Sequence, residues 1–181
     1  MKIMKYCLLL LIISVSYCQS SAPSDSSWNQ KIVDDDEPGT PLIVSGIIYK
    51  SDGETPLPGA NFQVYQTDNE GYYSKTSEGL DRGWRHARIS GQFKAGPKGQ
   101  YRIETIKPAG YPSSRNPSHI HFRINAADYP EQEHTIYFEG DSRITDEVRD
   151  MVERYDRLKI VPLEEGENDT LRCHFDIVLT N

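Results

Sequence analysis

The chain has 181 residues, with 20 basic side chains against 27 acidic ones, a net charge of −7 and three cysteines. That acidic balance argues against nucleic acid or an anionic membrane as a partner, since both select cationic surfaces. The length suits one domain with a core of its own rather than several.

The first element is a targeting segment. Lys2 and Lys5 precede an apolar run, Cys7 to Val15, that is too short to span a bilayer comfortably, and Ser16 and Cys18 are small residues placed for cleavage. Residues 1–18 therefore read as a signal peptide, with a mature start near Gln19 and a secreted product. Cleavage takes two lysines and no acid, moving the net charge from −7 to −9. It also takes Cys7 and Cys18, so Cys173 is left alone and no intrachain disulfide is available, which is unusual outside the cell.

Residues 19–40 are polar and acidic, with Asp34-Asp35-Asp36-Glu37 before Pro38-Gly39, and read as a flexible arm ahead of a domain over 41–181. Strand-like runs follow at Leu42–Tyr49, Asn61–Gln66, Gln100–Ile106, His119–Asn125, Thr135–Phe138 and Cys173–Leu179. They are separated by turn signals such as Ser51-Asp52-Gly53 and Gly96-Pro97-Lys98-Gly99. One helix is predicted over Thr145–Asp156, where Val148, Met151, Val152 and Tyr155 recur at helical spacing. Asn168-Asp169-Thr170 is an N-glycosylation sequon in an acidic loop, whereas Asn116-Pro117-Ser118 is disqualified by its proline. Cys173 alternates with Phe175, Ile177 and Leu179 and reads as a buried thiol. The expected fold is mainly β: an antiparallel β-sandwich with one peripheral helix.

The residues that carry chemistry are His119-Ile120-His121 and two tyrosines in glycine-marked turns, Tyr73 and Tyr111. On a strand, residues i and i+2 share a face, so both imidazoles can reach one ion while Ile120 enters the core. Phenolate suits a trivalent cation and imidazole suits iron. Taken alone these signals are weak, because the chain has 11 tyrosines and most must be core or rim aromatics. Tyr72 competes directly with Tyr73.

Four ordered blocks sharpen this. Pro56-Leu57-Pro58-Gly59-Ala60-Asn61-Phe62 through Gly71-Tyr72-Tyr73, Gly99-Gln100-Tyr101-Arg102-Ile103 leading to Tyr111-Pro112, Pro117-Ser118-His119-Ile120-His121-Phe122, and Tyr137-Phe138-Glu139-Gly140-Asp141 stand in sequence. Together they resemble the intradiol ring-cleavage dioxygenases, the ferric catechol and protocatechuate enzymes. The resemblance implies Fe(III) held by Tyr73, Tyr111, His119 and His121, and a small catecholic or phenolic substrate opened with O2 to a cis,cis-muconate. It also implies that a catechol leaves one proton on a hydroxide and the other on the Tyr111 phenolate, so it binds as its dianion without changing the buried charge.

This chain departs from the family pattern at two positions beside the metal ligands. Asn116 stands where the family has an arginine, and Thr135 where it has a glutamine, so the preferred substrate is left open. The polar arm replaces the helical segment through which catechol-type members dimerise, which makes a monomer the simplest reading. A non-catalytic transthyretin-like or carbohydrate-binding sandwich is the competing reading, but it needs none of the four metal-binding side chains. Elsewhere the residue types suggest packing or solvation: His86, His134 and His174 as ordinary histidines, and Arg82, Arg85 and Arg88 as a charged loop. Trp84 and Tyr101 suit a pocket wall and a core equally.

Overall fold

A computed structural model describes residues 28–181. The expected signal peptide, residues 1–18, and the first part of the expected arm, residues 19–27, lie outside the described residues.

Two sheets face each other. The first holds β1 (Asn29–Lys31), β2 (Pro41–Tyr49), β5 (Gln100–Ile106), β9 (Glu164–Glu165), β10 (Leu171–His174) and β11 (Ile177–Val178), in the order β1-β5-β2-β10-β9 with β11 also on β2. The second runs β4 (Ile89–Lys94), β3 (Asn61–Gln66), β6 (His119–Ala126), β7 (Tyr129–Phe138), β8 (Leu158–Val161). Between β7 and β8 lies the helix α1 (Asp146–Arg154). Among the described residues no helix is long and apolar enough to cross a membrane.

The period-2 pattern of these strands explains the core. Leu42, Val44 and Ile48 of β2, Tyr101 and Ile103 of β5 and Cys173 of β10 face Phe62 and Val64 of β3, Ile120, Phe122 and Ile124 of β6, and Ile136 and Phe138 of β7. Phe62 bridges the sheets, its ring centroid 4.8 Å from that of Tyr101. The Tyr101 hydroxyl donates to the Phe175 carbonyl at 2.5 Å, so this tyrosine belongs to the core and not to a pocket. Cys173 is a free buried thiol, which desolvation pushes up to about 12.

The mainly β sandwich and, among the described residues, its one α-helix match expectation, but the sheets are not wholly antiparallel. Four pairings are parallel: β1 with β5, β10 and β11 with β2, and β8 with β7. The last follows from α1, a crossover long enough to return the chain in the same direction. The last predicted strand is broken at Phe175-Asp176, where Asp176 Oδ1 accepts the Ile47 N–H at 2.8 Å. The part of the arm that is described is docked, not loose. β1 covers the outer edge of β5, Ile32 packs on the core, and Arg88 forms a bidentate pair with Glu37. An uncovered β5 edge would present a row of unpaired backbone groups. β4, β8 and β9 carry too little alternation to be read without their partners.

Candidate metal centre

β6 begins at His119. Because Ile120, Phe122 and Ile124 turn into the core, His119 and His121 stand on the opposite, outer face of the second sheet, with ring centroids 4.7 Å apart. His119 Nδ1 lies 2.6 Å from the Pro117 carbonyl. A carbonyl only accepts, so Nδ1 carries the hydrogen and Nε2 keeps the lone pair. That Nε2 is 3.1 Å from the Tyr111 hydroxyl. His121 Nδ1 lies 3.1 Å from Thr135 Oγ1 and 3.3 Å from Glu133 Oε1, which again leaves Nε2 to a ligand.

The tyrosines arrive on two loops. The loop after β3 is shaped by carboxylates: Asp68 Oδ1 accepts the N–H groups of Glu70 (2.9 Å) and Tyr72 (3.0 Å), and Asp81 Oδ1 accepts those of Tyr73 and Ser74, each at 3.1 Å. The loop after β5 is held by Arg143, whose Nη1 donates to the carbonyls of Tyr111 (3.1 Å) and Asn116 (3.3 Å). The loops meet at Gly71. Its φ is +89°, and a Cβ there would stand 2.4 Å from the Gly110 carbonyl oxygen and 2.9 Å from Pro112 Cδ. This close approach brings the Tyr73 and Tyr111 hydroxyl oxygens to 2.5 Å. Tyr72 lies beside them but under Lys75, whose Nζ is 4.1 Å from its ring centroid.

Two phenol oxygens and one imidazole nitrogen are thus within hydrogen-bonding distance in series, with the second imidazole alongside. Burial raises the Tyr73 phenol well above its ordinary range, and the bond to Tyr111 adds to this. Burial also raises Tyr111, although the bond from Tyr73 works against it. His119 is pushed down to about 4, first by burial and then by His121. In the metal-free protein the two phenols and His119 are neutral donors. Hard oxygens with imidazoles fit a trivalent iron well, and the cation would displace the phenolic protons.

Of the other predicted site residues, Thr135 is buried and acts on His121. Asn116 is exposed and takes part through its backbone, its N–H donating to Ser114 Oγ at 3.2 Å. Sequence reasoning passed over Tyr65, Glu133 and Arg123 and left Trp84 undecided. Tyr65 stacks on His121 (4.7 Å) and on Trp84 (5.6 Å). Glu133 accepts from Tyr65 Oη (3.2 Å) and Arg123 Nε (2.9 Å), and the Arg123 guanidinium lies 4.3 Å from the Trp84 ring centroid. The available signal was register: Tyr65, His121 and Thr135 are direct neighbours across three strands. Asp141 was also missed; it accepts the Ser118 N–H at 2.8 Å and fixes the start of β6.

A cleft of about 340 Å³ opens beside the cluster, walled by Tyr72, Tyr73, Trp84, Tyr111 and Pro112. His86 and His174 are exposed, and His134 is buried on the other face of β7.

The profile of a protein family described as Dioxygenase matches residues 12–181. Among curated relatives, catechol 1,2-dioxygenase of Acinetobacter baylyi is 27% identical over 89% of this chain, which spans 58% of that protein's length. The dioxygenase domain of a carbohydrate-binding fusion from Streptomyces sp. SirexAA-E superposes with a TM-score of 0.63 at 26% identity, covering 82% of this chain and 85% of that one. An intradiol ring-cleavage dioxygenase from Tetranychus urticae shares the fold with a TM-score of 0.63 at 19% identity, covering 83% and 85%.

Proposed function

Since the chain belongs to the intradiol ring-cleavage dioxygenase family, we propose that it is a secreted, monomeric Fe(III) enzyme. In this reading it opens small catecholic rings with O2 to cis,cis-muconate-type products. The observation that carries the proposal is the convergence of Tyr73, Tyr111, His119 and His121 on the outer face of the second sheet, with Tyr73 Oη 2.5 Å from Tyr111 Oη and that oxygen 3.1 Å from His119 Nε2. A plain binding module has no use for that convergence. Export is supported by the N-terminal segment of residues 1–18.

When bound, ferric iron supplies Lewis acidity and a template for the catecholate. The residues of the chain do the rest. Tyr73 is 6% exposed and serves as the fixed phenolate. Tyr111 is more exposed and stands at the cleft between Gly110 and Pro112, so its Oη is the group that accepts a proton from the arriving catechol. With the other substrate proton passing to hydroxide, which leaves as water, the buried charge stays constant as the catechol binds. His119 and His121 each keep Nε2 free for the metal, oriented by the Pro117 carbonyl on one side and by Thr135 with Glu133 on the other. Trp84 and Pro112 give the ring an apolar wall.

The deciding experiment is optical. Iron-loaded protein is expected to be red to burgundy from tyrosinate-to-iron charge transfer, with the colour shifting on anaerobic addition of catechol. Tyr73→Phe and His121→Ala are expected to lose colour and turnover together. A colourless protein after iron loading, or oxygen uptake without a muconate product, would refute the assignment.

A further inference from the structure

A cavity of about 700 Å³, larger than the cleft beside the tyrosines, lies elsewhere on the molecule. It lies at the β7–β8 edge on the core side of the second sheet, closed by the end of α1 and the chain after β10. β7 separates the two sites by alternation. Glu133 and Thr135 face His121, while His134 between them turns the other way and lines the cavity.

Three observations point to a ligand there. His134 is 3% exposed, and its Nε2 is the one buried side-chain polar atom without a hydrogen-bond partner among the described residues. Such an orphan is costly, and because the atom is closed to solvent, a ligand in the cavity meets it by a small turn of the His134 ring. The rim is cationic: Arg154, Arg157 and Lys159 all line the cavity. Of the two acids there, Asp156 and Asp176, the second is already committed to the Ile47 N–H at 2.8 Å and His174 Nε2 at 2.9 Å. Arg157 is anchored in place by Nη2 on Thr180 Oγ1 at 3.2 Å. The walls also leave apolar surface open, with Tyr155 at 55% and Val178 at 38% exposure, two of the four exposed large hydrophobic residues among the described ones.

We propose that this cavity binds an aromatic carboxylate, with the carboxylate between His134 Nε2–H, Arg157 and Lys159 and the ring against Tyr155 and Val178. The volume falls within the range of small-molecule sites. The His134 imidazole is held down to about 4, by burial first and then by the Arg157 charge, so it meets the anion as a neutral donor. A carboxylate against Nε2 offsets the repulsion from Arg157 and raises that value. The metal cluster takes no part, since it lies across the sheet.

Benzoate is the probe, titrated into the full chain while calorimetry follows heat and NMR follows the His134 ring. Saturable binding is expected, with the His134 resonance moving and its titration shifting upward in pH. Replacing a buried ring can unfold the chain, so the surface variants Arg157→Gln and Lys159→Gln carry the test. Each is expected to weaken benzoate about tenfold. Tyr73→Phe is expected to bind it unchanged. The proposal fails if millimolar benzoate leaves the His134 ring unmoved, if both surface variants bind as the native chain does, or if Tyr73→Phe abolishes binding. Inorganic phosphate moving His134 as strongly as benzoate would overturn the aromatic assignment.

Discussion

Gly71→Ala separates the geometry of the tyrosine pair from the stability of the fold. A non-glycine residue at φ +89° costs roughly 1–2 kcal/mol wherever it occurs. Gly53 provides the control, with φ +73° and nothing within 4 Å of an added Cβ, so Gly53→Ala bears that backbone cost and nothing else. At Gly71 the new Cβ would also sit 2.4 Å from the Gly110 oxygen, and real contacts of this kind do not fall below 3.0 Å. The Tyr73 and Tyr111 loops must therefore part by about 0.6 Å, several times the roughly 0.2 Å tolerance of a metal–ligand distance. Both variants are expected to lose about 1–2 kcal/mol in urea unfolding of the metal-free protein, with Gly71→Ala the lower of the two. Only Gly71→Ala is expected to give up iron to a chelator and lose the visible band, with affinity down about a hundredfold or more. A Gly71→Ala protein that keeps full iron and an undisturbed band would refute the argument that this glycine sets the tyrosine separation.

Three further outcomes follow from the same structure. Iron uptake should release the protons of Tyr73 and Tyr111, whose values are both raised, so affinity should climb about a hundredfold per pH unit near neutrality; a slope near tenfold would mean that one phenol stays protonated. His134 has a folded value near 4 against about 6.5 unfolded, so its contribution is intact above pH 6.5 and is lost as the pH falls towards 4, by about 3 kcal/mol in all. His134→Leu should flatten the stability profile by that amount relative to the native chain, and parallel profiles would refute the burial argument. Asn116→Arg restores a cation beside the Tyr111 loop and is expected to raise kcat/KM for catechol about tenfold; unchanged kinetics would show that position 116 does not face the substrate.

The parts legible in the sequence were those with a local signature. The alternation in β2, β3, β5 and β6 marked the core, and the His-x-His spacing gave the outward face of β6 before any partner strand was known. Glycine and proline around Tyr73 and Tyr111 marked the turns. What escaped depends on contacts between distant segments. Nothing near Arg143 indicates that it will clamp the carbonyls of Tyr111 and Asn116, 32 and 27 residues away. Glu133 reads as a solvated charge on an alternating strand until register sets it against His121 and Tyr65. β1 reads as polar linker because its only reason to be a strand is the open edge of β5.

Strand β7 works as a party wall, and that makes its alignment with β6 a functional quantity. His121 is paired with Thr135 and Phe122 with His134. A slip of one residue would send His134 to the tyrosine side and bury Thr135 or Glu133 in its place, emptying both sites of their polar partners at once. The irregularity between the two strands lies at Ile124 and Ala126, next to the hairpin turn and beyond both sites. Insertions or deletions in that turn can be absorbed there, so the hairpin tip is free to vary in length while the paired rows below it are not.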